Sequence, residues 1–288
     1  MKVFNAHSKK RGAGQGFAVV VLLVILVLAL LASVIESALG VSHTAIDLQG
    51  RYADAAFPHL LGQNELGQDL FARLLHGARV SIAVGLLAAL VATCAGMFIG
   101  MCAAFFGGVV DAVLMRFTDA MLAIPVLPLL LIAAAIDLGP RSGSALMAVT
   151  RIVVLLGAFS WMTVARLTRA QARQALALDH TAAARALGAG PWRVVVVHVL
   201  PLCLPPVVVQ ATIEVGGNIL AESALSFLGL GVQPPVPSWG NMLMSALDVF
   251  KTDPPSGLLP GCCILLTVLC VQLAGDGVRD LFDPKAKR

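Results

Sequence analysis

The chain has 288 residues, of which 58% are hydrophobic and only 12% are charged, and its formal net charge is +4. So few charges cannot cover the surface of a soluble globular protein, and such high hydrophobicity excludes intrinsic disorder. The composition therefore predicts an all-α, polytopic membrane protein surrounded largely by lipid. The positive charge is expected in loops on the inner side of the membrane, and no nucleic-acid partner is predicted.

Six apolar stretches are long enough to cross the roughly 30 Å hydrocarbon core of a bilayer as helices. They cover residues 17–35, 80–106, 112–136, 145–165, 202–230 and 257–274. The first follows a basic start but is too long for a signal peptide, so it is interpreted as an uncleaved anchor. Residues 1–16, with three closely spaced glycines at 12, 14 and 16, are expected to form a flexible tail.

Local features refine two of these stretches. Gly96 and Gly100 form a small-xxx-small pattern that allows close approach of helices. Pro125 is expected, with a second proline at 128, to kink the third span. Arg116 and Asp119 are three residues apart near the start of that span, a spacing that favours an ion pair.

The six cysteines all lie in apolar stretches and form no CxxC pair. They are therefore expected to be small buried side chains rather than metal ligands or disulfide partners.

The basic residues predict the orientation. Six spans place both termini on one side, and with the termini inside, fourteen basic residues fall on inner segments against five on outer ones. This bias predicts cytoplasmic termini. The expected order is a cytoplasmic tail at 1–16, an anchor at 17–39, a periplasmic segment at 40–79, a permease core at 80–278 with an inner loop at 166–201, and a cytoplasmic tail at 279–288.

A short helix is expected within the inner loop, at about residues 181–187. Asp179 can cap its first turn, and Gly188 can take the left-handed conformation that ends it. A helix of two turns is unstable alone and must dock against something. The residues leave open whether that surface is a partner protein or the chain's own transmembrane bundle.

Polar residues recur every four positions on the fifth span, at Gln210, Glu214, Asn218 and Glu222. They form one stripe about 18 Å long on a helix. Polar groups at this depth must face the bundle or a wet cavity. Either they line a solute pathway or they bond neighbouring helices, and the second role is favoured for Glu222.

The sequence lacks the motifs of an enzyme. It has no Gly-Lys dipeptide and so no phosphate-binding P-loop, and its six histidines lie near no nucleophile in a recognisable motif. The chain is therefore expected to bind no cofactor or metal and to catalyse no reaction.

Several motifs resemble one family of ATP-binding cassette (ABC) importer permeases, the dipeptide/oligopeptide/nickel family. They are LGQNELGQD at 61–69, GARVS at 77–81, AARALG at 183–188 with LP at 200–201, AESALSFLGLGVQPP at 221–235, PSWGNM at 237–242, GDGVRD at 275–280 and DP at 283–284. The resemblance covers about residues 17–284 and is greatest to the C-type, or second, permease subunit.

The resemblance implies a six-helix, type I importer permease in a bacterial inner membrane. Its partners would be a homologous B-type permease, two ATPase subunits that hold ATP and magnesium, and a periplasmic or extracellular binding protein. It also implies a coupling segment that docks on an ATPase, formed by Asp179, His180, Thr181, Ala182, Ala183, Ala184, Arg185, Ala186, Leu187 and Gly188. The family usually has Glu where this chain has Ala182, whereas Gly188 is retained.

One alternative is an autonomous secondary transporter or channel, coupled through intramembrane acids such as Glu214, Asp119 and Glu222. An intramembrane enzyme is disfavoured, because no paired nucleophile and base appears.

Overall fold

The computed structural model describes residues 2–136, 145–247, 249 and 251–282, with the backbone alone for 2–13 and 145. Within these ranges the regular structure is helical, as predicted, and no strand forms. In chain order the helices are α1 (Lys2–Leu30), α2 (Ala32–Leu39), α3 (Leu70–Phe106), α4 (Gly108–Leu122), α5 (Val126–Ile136), α6 (Ala145–Leu176), α7 (Asp179–Ala186), α8 (Pro191–Arg193), α9 (Leu200–Phe227), α10 (Trp239–Ala246) and α11 (Pro254–Phe282). A π-helical stretch, Val194–Val199, joins α8 to α9.

The helices supply four unbroken spans, or up to six if each of two bent pairs counts as one. The four are α3, α6, α11 and the continuous run Pro191–Phe227. In their most apolar windows only 28–39% of residues are buried within the chain, so most of this surface must face lipid or another subunit.

The predicted first and third spans are the bent pairs. α1 and α2 meet at 60°, and α4 and α5 meet at 89°. The second bend falls at Pro125, where a kink was expected, but the helix breaks there rather than bending gently. Proline ends a helix at this point because it restricts the preceding residue and lacks an N–H donor.

Residues 166–201, predicted as a loop, are mostly helical. α6 continues to Leu176, and the next long helix already begins at Pro191. With 32 residues, α6 is about 48 Å long and therefore extends well beyond a hydrocarbon core of about 30 Å. The loss of hydropathy after residue 165 therefore does not mark the end of the helix.

The expectation of a flexible N-terminal tail is wrong. Residues 2–16 continue α1, and the Gln15 amide donates a hydrogen bond of 2.8 Å to Asp280 on α11. α11 itself runs to Phe282, past the predicted start of the tail at 279. The expected motif at 283–284, and the basic residues at 141, 285, 287 and 288, lie outside the described residues.

The bundle centre is the contact between α3 and α6, which run parallel. Gly96 and Gly100 of α3 face the α6 backbone: a Cβ atom at Gly96 would lie 2.5 Å from the Trp161 carbonyl oxygen and 2.7 Å from the Val164 Cβ. These glycines therefore allow the backbone contact that the small-xxx-small pattern predicted.

The six cysteines differ in burial, with Cys102 and Cys263 partly buried. Cys203 and Cys270 are buried, as expected, whereas Cys94 and Cys262 are exposed on the outward faces of α3 and α11. A thiol on such a face contacts lipid or a neighbouring subunit, so the prediction of general burial is wrong for these two.

Gly96→Ala should destabilise the chain, because the added methyl group would meet a backbone oxygen that cannot move without shifting α6. Overpacking of this kind costs about 1–3 kcal/mol. Gly217→Ala is the matched control, since no atom lies within 4 Å of its Cβ position. Thermal unfolding in detergent should show a lower midpoint for Gly96→Ala and an unchanged or higher one for Gly217→Ala. Equal midpoints would contradict the close α3–α6 contact.

Candidate functional site

The candidate coupling residues form a short helix at the C-terminal end of α6. α7 covers Asp179–Ala186, close to the predicted two turns. Its first-turn capping differs from the prediction: Leu178 is the N-cap, and the Asp179 side chain makes no capping hydrogen bond. Asp179 is instead the first helical residue, where its charge still complements the helix dipole.

Thr181 fixes α7 against α6. Its side chain is fully buried, and its hydroxyl donates a hydrogen bond of 2.9 Å to the Ala175 carbonyl in the last turn of α6. That carbonyl lies at a helix end, where it otherwise accepts only a long bond of 3.4 Å from the Leu178 N–H, so the shorter Thr181 bond helps to set the angle between the helices.

Gly188 ends α7 as predicted. Its φ is +85°, and the N–H groups of Gly188 and Ala189 donate to the carbonyls of Arg185 and Ala184 at 2.9 and 3.0 Å. This pair of bonds is the Schellman motif, which requires a left-handed residue at the position of Gly188. Because no atom of the described residues, apart from Gly188 and its chain neighbours, lies within 4 Å of the Gly188 Cβ position, the requirement is conformational rather than steric.

The rest of the segment is open. Thr181 is buried and Ala184 is partly buried, whereas the remaining residues are exposed: Asp179, His180, Ala182, Ala183, Arg185, Ala186, Leu187 and Gly188. Leu187 is 89% exposed, and Trp192, just beyond, is 79% exposed. Large apolar side chains so exposed on a polar, projecting segment are typical of a docking surface.

An ionic cluster that the sequence reasoning missed lies near the same end of the bundle. The Asp111 carboxylate on α4 accepts two bonds from Arg169 (2.5 and 2.7 Å) and one from Arg173 (2.6 Å), both on α6. Arg169 and Arg173 are one helical turn apart and so share a face, which is the signal that could have suggested a common acid.

The expected Arg116–Asp119 pair is not the one that forms. Asp119 lies 3.5 Å from Arg166 on α6, with both side chains more than half exposed. Two acids of α4 therefore join it to three arginines of α6, since inter-helix pairing takes precedence here over pairing within the turn.

The four polar side chains of the stripe on α9 differ in burial and in hydrogen-bond partners along the helix. Gln210 and Glu214 are partly buried, and the Gln210 amide donates to Glu214 at 2.9 Å. Asn218 is buried; its carbonyl accepts from Ser160 on α6 at 2.8 Å, and its amide nitrogen has no hydrogen-bond partner among the described residues.

Glu222 is enclosed by protein. It is fully buried, and its carboxyl oxygens accept from Ser81 on α3 (2.9 Å) and Ser226 on its own helix (2.7 Å). Ser81 in turn accepts from the Trp239 backbone N–H at 3.2 Å. The Glu222 side chain thus joins α3, α9 and the start of α10.

The α10 start was recognised in the sequence only as a family motif. Ser238 and Asn241 form a reciprocal capping box, with bonds of 3.2 and 3.0 Å between side chains and backbone N–H groups. The Trp239 indole donates to the Leu74 carbonyl at 3.1 Å. The Ser-x-x-Asn spacing before an apolar run could have indicated this cap.

A cavity of about 380 Å³ lies between α5, α6 and the segment after α9. Arg151 and Gln233 supply polar groups to a wall that is otherwise mainly apolar, with Leu155 and Leu230 among its members. Arg151, within the fourth predicted span, therefore lies in the wall of a cavity.

Asp111→Asn should destabilise the α4–α6 contact, because it leaves two arginines without their shared carboxylate. Breaking a partly buried charge pair of this geometry costs about 1–3 kcal/mol. Asp119→Asn is the control, as exposed pairs contribute about 0–1 kcal/mol. Denaturant unfolding of both variants checks this; an equal or larger loss for Asp119→Asn would contradict the assignment.

Comparisons with known proteins agree with this architecture. A family described as "Binding-protein-dependent transport system inner membrane component" matches residues 81–288. The chain is 44% identical to the di/tripeptide transport system permease protein DppC of Pseudomonas aeruginosa, over 79% of this chain and 73% of that one. It is 38% identical to the glutathione transport system permease protein GsiD of Pectobacterium atrosepticum, over 80% and 73%.

The fold is similar to that of a chain in the inward-facing MetNI methionine ABC transporter. The TM-score is 0.57 at 18% identity, over 73% of this chain and 96% of that one. The family predicted from the motifs is thereby confirmed. This is a multi-pass membrane protein, and it belongs to the family of inner membrane components of binding-protein-dependent transport systems.

Proposed function

We propose that the chain is one of two permease subunits of an ATP-driven importer that moves peptides, or a related small solute, into the cytoplasm. The observation that carries the proposal is α7: an exposed helix with rigid ends, carried at the end of a transmembrane helix. The transport names of its relatives, which specify di/tripeptides and glutathione, favour this solute class.

α7 is suited to receive force from a soluble partner. The length of α6 carries α7 beyond the hydrocarbon core. Leu187 and the neighbouring Trp192 offer apolar surface that a groove on an ATPase subunit would bury. Ala182 offers only a methyl group where the family usually has Glu, so docking here depends on shape and apolar contact.

Displacement of α7 would be transmitted along two routes. The Thr181 bond ties it to α6, and its packing on the π-helical stretch ties it to α9. Asp111 links α4 to α6 close by. Closure of the ATPase subunits on ATP and magnesium would therefore move these helices as a group and alternate access to the pathway.

Membership of the family supports the following assembly. A homologous B-type permease would cover part of the exposed helix surface, two ATPase subunits would seat the coupling segments, and a periplasmic or extracellular binding protein would deliver the solute. Both termini and α7 would face the cytoplasm of a bacterial cell, in agreement with the distribution of basic residues.

The pathway residues we favour are Gln210, Glu214 and Asn218. The first two are only partly buried and can face a partner permease or a wet cavity, and the Asn218 amide nitrogen has no acceptor within the part of the chain that the structure describes. Glu222 is assigned instead to holding α9 on α3, because serine hydroxyls from both helices enclose its carboxyl group.

The rival mechanism of an autonomous transporter would need mobile intramembrane acids. Two of its three candidates are held by other contacts: Glu222 is enclosed, and Asp119 is exposed and paired with Arg166. The third, Glu214, accepts a hydrogen bond from Gln210 on its own helix, so the two mechanisms are separated by experiment. A complex of this chain with its partner permease and ATPases, reconstituted in liposomes with its binding protein, should take up a labelled dipeptide only with ATP. Uptake that persists without ATP and collapses with a proton ionophore would overturn the proposal.

Gly188→Val should uncouple ATP hydrolysis from uptake, because a β-branched residue disfavours the φ of +85° and so alters the end of α7. Gly190→Val is the control: Gly190 has a φ of −62° in extended backbone before Pro191, where valine is tolerated. If the distorted end of α7 raises the free-energy barrier of coupled transport by more than about 1.4 kcal/mol, uptake per ATP hydrolysed should fall at least tenfold for Gly188→Val. Equal uptake per ATP hydrolysed in the two variants would contradict the role assigned to Gly188.

A further inference from the structure

Three metal-binding side chains meet at the end of the bundle opposite α7. Glu36 lies on α2, His43 lies in the segment after it, and His76 lies in the second turn of α3. The Glu36 carboxylate is 2.8 Å from the His43 Nδ1 and, through its other oxygen, 2.8 Å from the His76 Nε2. One ligand atom from each residue lies within 4.8 Å of the others. The proposed transport function uses none of the three.

The local backbone holds this arrangement independently of any ligand. Gly40, with φ of +67°, ends α2 and reverses the chain, so the His43 backbone N–H donates to the Glu36 carboxylate at 2.8 Å. Arg79, one turn after His76, donates to the carbonyls of Ala29 and Leu30 at 3.2 and 2.8 Å. The guanidinium group of Arg79 is therefore engaged with α1 and leaves the carboxylate to the imidazoles.

The donor set suits a divalent transition ion. Two imidazole nitrogens and one carboxylate oxygen form a frequent protein site for Zn²⁺, at metal–ligand distances of about 2.0–2.2 Å. In a tetrahedral site, ligand atoms are about 3.4 Å apart. The present separations, 2.8 Å between the hydrogen-bonded atoms and at most 4.8 Å overall, bracket that spacing.

A fourth ligand position can be reached from outside. An open cavity of about 250 Å³ adjoins the cluster, and His43 and His76 form part of its wall together with the prolines at 235 and 237. The side chains of Glu36, His43 and His76 are 17%, 23% and 12% exposed, so the site is sheltered yet accessible to water.

We propose that Glu36, His43 and His76 bind one Zn²⁺ ion, with a water molecule from the adjoining cavity as fourth ligand, and that the ion fastens α2 to α3. The bound ion is a structural clamp and not the transported solute. The two imidazole rings, now stacked with centroids 3.9 Å apart, would turn their nitrogens towards the ion. Without an ion the same residues form the weaker hydrogen-bonded contact described above.

The test uses the full chain, purified in detergent with an affinity tag that contains no histidine. After dialysis against Zn²⁺, elemental analysis should give one bound ion per chain, and X-ray absorption should report two imidazole ligands. Loss of a group that only hydrogen-bonds to a metal ligand weakens metal binding about 10–100-fold. His43→Gln and His76→Gln remove direct ligands, so each should weaken Zn²⁺ binding by more than about 100-fold.

His59→Gln is the matched control. His59 lies on the same outer segment and also contacts a carboxylate, Asp69, at 2.9 Å, but without a second imidazole. The affinity of the His59→Gln variant for Zn²⁺ should equal that of the unaltered chain. Thermal unfolding provides a second measurement: Zn²⁺ should raise the midpoint of the unaltered chain and of His59→Gln, but not of the two cluster variants. Zn²⁺ affinities of His43→Gln and His76→Gln within threefold of the unaltered chain, or a loss of binding in His59→Gln, would overturn the proposal.

Discussion

The close contact between α3 and α6 is the constraint on which the rest of the structure depends. In a bilayer, apolar side chains gain little by leaving lipid for one another, so helices associate where their backbones can approach closely. Gly96 and Gly100 permit that approach over two turns. Because α6 is held along its length, the part of it that extends past residue 165 is a rigid arm, and α7 has a fixed base.

Two polar clusters secure the ends of this central pair. At the end that bears α7, Asp111 joins α4 to α6; at the other end, Glu222 joins α9 to α3. Single inter-helix hydrogen bonds in membranes contribute about 0.6 kcal/mol on average, so each cluster gains strength from several bonds to one carboxyl group. Their main effect is to fix which helix faces meet, a choice that apolar packing in lipid leaves open.

Hydropathy predicted the approximate positions of the apolar helices, four of which are unbroken while two of the predicted spans are bent pairs, and the requirement for a left-handed residue predicted that Gly188 ends α7. Those features depend on neighbouring residues alone. The missed features depend on partners far away in the sequence: Ser81 and Glu222 are 141 residues apart, and Arg169 and Asp111 are 58 apart. The helical part of 166–201 was missed for another reason, since hydropathy reports the bilayer boundary and a helix can continue past it.

The distribution of polar contacts indicates where the bundle can deform. Far from α7, α9 is tied to α3 by Glu222 and, midway, to α6 by the bond between Asn218 and Ser160. Nearer α7, Gln210 and Glu214 bond to each other and, among the described residues, not to another helix, while Val194 and Val199 pack on α6 in an apolar cluster. Apolar surfaces can slide without leaving buried donors or acceptors unpaired, whereas the Glu222 contacts cannot.

The π-helical stretch, a local irregularity of the kind found at functional sites, lies in this apolar half beside α7. A displacement of α7 should therefore swing the near half of α9 about a pivot at Glu222, which would change the exposure of Gln210 and Glu214 before that of any other residue in the stripe.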